Sequence, residues 1–89
     1  MYERAIELLE AELGDEILTL DPQDGQCFGF NAVVASVWRR LAQPADFDQL
    51  RQSLIGEYDV SAEQCTEELH ELMRVLVDRG LVRYAQTPA

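Results

Sequence analysis

Positive charge is scarce: seven Lys and Arg face seventeen Asp and Glu in 89 residues, a formal net charge of −10. Such a chain repels phosphate backbones, whereas duplex binding draws on basic side chains that release counterions. Nucleic acid is thereby disfavoured as a ligand. Long apolar runs are missing as well, since the longest, Ala32 to Ala35, has four residues against the roughly 20 that a bilayer crossing needs. No membrane span is expected. Met1-Tyr2-Glu3-Arg4 is not a basic leader followed by an apolar stretch, so no secretory signal is read and a cytoplasmic location is expected. Of the two cysteines, Cys27 and Cys65, 38 positions apart, neither fits a metal-binding spacing, and apolar surroundings predict two buried thiols rather than a disulfide. Repeats and low-complexity tracts are lacking.

What is present is enough apolar material for one core. Hydrophobic residues make up 47% of the chain and run from Ile6 to Val82, too many and too evenly spread for a disordered chain. One domain over 1–84 is expected, with a flexible tail at 85–89.

Turn chemistry and periodicity divide that domain at Asn31. Gly14-Asp15 separates Leu8–Leu13 from Glu16–Leu20, and Asp21-Pro22-Gln23-Asp24-Gly25 separates the latter from Gln26–Phe30, as turns between short strands do. Side chains alternate along a strand, so Phe28 and Phe30 are assigned to the core face, with Cys27 and Gly29 opposite. Residues 2 to 13 also carry helical spacing at Tyr2, Ala5, Ile6, Leu9 and Leu13. The Gly-Asp turn into the next segment favours a strand from Leu8, with room for an N-terminal helical turn before it.

After Asn31, an N-cap residue, Val33, Val34, Val37, Trp38 and Leu41 recur on one helical face until Pro44 ends the run. Asp46 caps a second helix bearing Phe47, Leu50, Leu54 and Ile55. Ser61-Ala62-Glu63-Gln64 is a capping box, with Val60 placed to staple onto Cys65, and it opens a third helix with the stripe Cys65, Leu69, Leu72, Met73, Leu76 and Val77. Gly80 ends it. Leu81 and Val82 are expected to dock back on the fold. The fold class read from this order is α+β, a three-stranded antiparallel sheet followed by three helices with a winged helix-turn-helix-like rear half.

Several segments in this order carry a resemblance: Gly14-Asp15-Glu16-Ile17-Leu18-Thr19-Leu20-Asp21, Gly25-Gln26-Cys27-Phe28-Gly29-Phe30-Asn31, Val37-Trp38-Arg39-Arg40-Leu41, Tyr58-Asp59-Val60 and Gly80-Leu81-Val82. Together they resemble the PqqD-like family, the stand-alone recognition elements for ribosomally made, post-translationally modified peptides. The likeness covers roughly residues 9 to 82. Two departures concern the groove: Cys27 stands where a bulky residue is frequent, and Phe30 replaces the usual Leu.

The resemblance implies a non-catalytic domain that binds the leader segment of a precursor peptide and delivers it to a modifying enzyme. It implies strand addition alongside the third strand, in a cleft against the third helix. On this chain the edge would be Gln26, Cys27, Phe28, Gly29 and Phe30, whose free N–H and C=O groups give affinity while side-chain pockets give selectivity. Cys27 and Gly29 are small enough for a ligand backbone to come close. Two flanks of the third helix qualify as the facing wall: Glu68, Leu72, Val75 and Arg79, or the competing flank with His70 and Arg74.

Other residues invite chemistry and have plainer explanations. Trp38 lies at helical spacing with Val34 and Leu41 and is assigned to the core. His70, the single histidine, has no third convergent group for catalysis or zinc binding, so neither a metal nor another cofactor is expected. The Glu63, Glu67, Glu68 and Glu71 run is a solvated face, or a surface that attracts a basic stretch of leader or enzyme. A winged-helix DNA-binding regulator is the alternative function, opposed by the net charge of about −3 from Ser61 to Gly80. A dimerisation or assembly module using the same edge strand is the third.

Overall fold

Asn31 turns a strand into a helix: its side chain accepts from the Val34 N–H at 3.0 Å, satisfying a donor that the first helical turn leaves free. The computed structural model describes residues 1–85. Among these the order is β1 (Tyr2–Arg4), β2 (Leu9–Leu13), β3 (Glu16–Leu20), β4 (Cys27–Phe30), α1 (Ala32–Arg40), α2 (Phe47–Glu57), α3 (Ala62–Asp78) and β5 (Val82–Tyr84).

The antiparallel meander β2-β3-β4 follows from its turns. Gly14, at φ +66°, is the only member of the Gly14-Asp15 turn with positive φ, the pattern of a two-residue II′ hairpin turn. In the next turn the Asp21 carboxylate accepts from the Gln23 N–H at 2.9 Å, and Gly25, at φ +77°, supplies the left-handed residue. The register pairs Ile17 with Phe30 and Thr19 with Phe28. All four side chains therefore share the inner face, where Ile17, Thr19 and Phe30 are buried and Phe28 is half-buried. Thr19 is satisfied there by donating to the Phe28 carbonyl at 2.9 Å.

The chain's two ends form a second sheet that local periodicity does not reveal. Residues 2 to 4 are not the helical turn for which the sequence left room: Tyr2 pairs with Tyr84 and Arg4 with Val82, and Tyr2 exchanges backbone hydrogen bonds with Ala45 at 2.7 and 3.0 Å. Partners some 40 and 80 positions away override a short helical pattern. Val82 and Leu81 are buried where docking was expected. Of the expected tail 85–89, Ala85 donates to the Met1 carbonyl at 2.7 Å, and 86–89 lie outside the described residues.

Trp38 joins the two sheets to the helices. It is 0% exposed, and its ring lies 5.4 Å from that of Phe30. Its indole N–H donates to Glu10 at 3.1 Å, and the Arg4 guanidinium sits 4.3 Å over its face. Arg4 also donates to the Trp38 carbonyl at 2.5 Å. Burial lowers the Arg4 pKa and Glu10 partly restores it. One core side chain thus holds β1, β2 and β4 against α1.

The helix boundaries follow the caps, with one exchange of roles. The complete capping box belongs to α2, where Asp46 and Gln49 bond reciprocally. At α3 only half forms: Ser61 accepts from the Gln64 N–H at 3.2 Å, while the Gln64 side chain turns to Glu68. At its other end Leu81 N–H donates to the Leu76 carbonyl and Gly80 N–H to that of Val77, both at 3.0 Å. With Gly80 at φ +75°, this is a Schellman stop, and it aims the chain into β5.

Three side chains expected inside lie outside. Val33 and Val77 are exposed, because each helix buries a narrower stripe than its apolar residues span, centred on Ala35 to Trp38 in α1 and on Cys65, Leu69, Met73 and Leu76 in α3. Cys65 is buried, but Cys27 is exposed, since strand alternation puts it opposite Phe28. Among the described residues no helix is long and apolar enough to cross a membrane.

Candidate functional site

β4 is an edge. It pairs with β3 alone in the order β2-β3-β4, and among the described residues no strand occupies its other side. Antiparallel pairs alternate between hydrogen-bonded and open. The Asp21 N–H donates to the Gln26 carbonyl at 2.8 Å, so in this register Phe28 and Phe30 also turn their backbone groups toward β3. Cys27 and Gly29 turn theirs to the free side. An ideal Cβ on Gly29 would meet nothing within 4 Å, so the approach is unobstructed.

Beside this edge runs a cleft of about 370 Å³ with Cys27, Phe28, Gly29 and Phe30 on one wall and Leu72, Val75, Leu76 and Arg79 of α3 on the other. Val34 and Leu81 complete it. Val75 is 39% exposed, an apolar side chain that the core leaves unused. A second, smaller pocket of about 120 Å³ shares Leu72 and is lined by Val33, Leu54, Tyr58, Val60, Cys65, Glu68 and Leu69. Leu72 thus makes one apolar trough of the two.

Of the residues singled out in the sequence, Cys27, Phe28, Gly29, Phe30, Leu72, Val75 and Arg79 meet in the main cleft. Glu68 lines the adjoining pocket. Gln26 does not enter: strand pairing starts at Cys27, and the Gln26 N–H is taken by the Asp24 carboxylate at 2.9 Å, which makes it part of the turn. The competing flank faces elsewhere. His70 and Arg74 line a groove with Tyr2 and Tyr84 of the two-stranded sheet, and His70 stacks on Phe47 at 4.1 Å.

Sequence reading missed Val33, Val34, Tyr58 and Val60 as lining residues. The two valines sit in the first turn of α1, directly after β4, a position that signals the rim of the cleft more than the core. Tyr58 and Val60 belong to the four-residue link between α2 and α3, which closes the far end of the trough. Among the described residues no three His, Cys, Asp or Glu side chains gather as a metal site would require.

A sequence model of the family described as Coenzyme PQQ synthesis protein D (PqqD) matches residues 16–82. Among solved structures the chain is similar to TbiB1 in complex with the TbiA(beta) leader peptide, with 25% identity and a TM-score of 0.80 over 94% of this chain and 99% of that one. It is also similar in fold to lasso peptide synthetase B1 complexed with the leader peptide, at 20% identity and a TM-score of 0.76, covering 93% and 98% of the two chains. No curated protein matches this chain.

Proposed function

The chain belongs to the PqqD family, and from that premise we propose that it is a leader-peptide-binding protein. An extended segment of a ribosomally made precursor adds to β4 as a further strand and is delivered to a modifying enzyme. The observation that carries this function is the open edge of β4 lying beside an apolar cleft. Backbone pairing at Cys27 and Gly29 supplies affinity independent of sequence, and side chains that alternate into the cleft supply selectivity. The similarity to TbiB1, which is in complex with a leader peptide, supports the same reading.

The cleft also favours one kind of segment. Glu68 and Arg79 are separated by eleven helical positions, about 16 Å along α3, with Leu72 and Val75 between them. That length matches about five extended residues. The preferred ligand is apolar at its middle, with a basic side chain toward Glu68 and an acidic one toward Arg79.

Delivery needs no catalytic residue. Holding a precursor near an enzyme raises its effective concentration, and that alone accelerates modification. We therefore assign the chain a chaperone-like, non-enzymatic role, place it in the cytoplasm where ribosomal products emerge, and treat 1–84 as its recognition domain. A duplex-binding role has no comparable support, because the exposed side of α3 carries Glu63, Glu67, Glu68 and Glu71.

Titrating the synthetic leader of a candidate precursor, while following backbone amides, tests the proposal. Saturable shifts are expected at Cys27 to Phe30 and at Leu72, Val75 and Arg79. A saturated titration that leaves Cys27 to Phe30 unmoved would overturn it.

A further inference from the structure

The flank of α3 turned away from β4 forms a groove of its own. Tyr2 of β1 and Tyr84 of β5 meet edge to face at 5.1 Å, and with Met73 and Val77 they make the apolar floor of a hollow of about 560 Å³. Val77 is 40% exposed and Tyr84 64%. Neither is needed by the core. Glu67, Glu71 and Asp78 stand around this floor. Arg74, the one cationic side chain lining it among the described residues, is bonded to Glu71, which raises its pKa. The surroundings are therefore net negative around an aromatic base.

We propose that this groove docks the enzyme that receives the peptide, through an apolar or aromatic segment of that enzyme bearing Arg or Lys. The proposal rests on the peptide-capture function, since a carrier must hold two bodies at once. At about 100° per residue, Leu72, Val75 and Arg79 lie roughly opposite His70, Arg74 and Val77 on α3, so an enzyme seated here leaves the peptide cleft open.

Charge selects the occupant. The exposed Tyr84 and the half-buried Tyr2 favour guanidinium and ammonium groups through their ring faces, and the carboxylates attract the same cations. A second copy of this chain, at −10, would meet repulsion, as would phosphate in nucleic acid or an anionic bilayer.

The test uses the full chain, the purified maturation enzyme that modifies the captured precursor, and that precursor's synthetic leader. Enzyme added to the isotope-labelled chain should shift the amides of Glu67, Glu71, Val77, Asp78 and Tyr84, with or without leader bound. The double substitution Glu67→Lys and Asp78→Lys, both on exposed positions, should weaken enzyme binding about tenfold or more and leave leader affinity unchanged. The proposal is overturned if the enzyme does not bind, if its shifts map to another surface, or if the double variant binds it as well as the original. Concentration-dependent shifts of the same amides without enzyme would identify a second copy as occupant and overturn it equally. If the leader fails at Cys27 to Phe30 while the enzyme still engages the α3 flank, the capture function falls and this surface stands.

Discussion

Strands β1 and β4 treat their edges in opposite ways. In the small sheet, β1 has β5 on one side and the Ala45 bridge on the other, and the buried Leu81 and Val82 anchor it to the core. In the larger sheet, β4 has no partner on its outer side among the described residues, and the outer face carries Leu9, Leu13 and Leu18, all about half or more exposed. Open sheet edges invite pairing with other chains and natural folds generally cover them. What sets β4 apart is the apolar cleft beside its open side, and the proposed capture of an extended peptide rests on that pairing of edge and cleft.

The comparison breaks most completely at Trp38, which both sheets share. Trp38→Ala is expected to cost about 3–5 kcal/mol, a large part of the stability of a domain this size. Denaturant unfolding should show both sheets lost in one transition. Retention of β1-β5 pairing after the larger sheet melts would show that the sheets are independent.

A subtler change separates edge from body. Gly29→Pro removes an N–H that points to the free side of β4 and leaves the β3 ladder intact. Leader affinity should fall about tenfold, the equivalent of one backbone hydrogen bond, as read by calorimetry, with the unfolding midpoint little altered. An equal loss of stability would mean that this N–H serves the fold.

Gly80→Ala acts on the closed sheet instead. A side chain at φ +75° costs about 1 kcal/mol, and amide exchange should quicken in Tyr2 to Arg4 and Val82 to Tyr84 while leader affinity stays unchanged. The smallest effect belongs to the exposed hairpin. Leu13→Ser, on a side chain 64% exposed, should change stability by less than about 0.5 kcal/mol, and a larger loss would show that this face is covered in solution.

Much of this arrangement was readable in the chain. Gly14-Asp15 and Asp21 to Gly25 announce the meander, Asn31, Asp46 and Ser61 announce the helix starts, and Gly80 the last stop, because caps and turns depend on residues a few positions apart. Leu72 and Val75 were legible as a helical stripe near charge, and Cys27 and Gly29 as the small outward residues of an edge. The β1-β5 sheet was not legible, since Tyr2 finds its partners at Ala45 and Tyr84. The choice between the two flanks of α3 was not legible either, as helical spacing assigns residues to faces without saying what each face meets.

Strand alternation, helix periodicity and capping act over short separations along the chain, so the order of the elements, the acidic surface and an apolar core around Trp38 are written into the residues themselves. Which edge stays bare and which flank of α3 stands beside it depend on how distant segments meet. The entropy of bringing the chain's ends together is repaid only when Leu81 and Val82 find the core, and no local pattern carries that information.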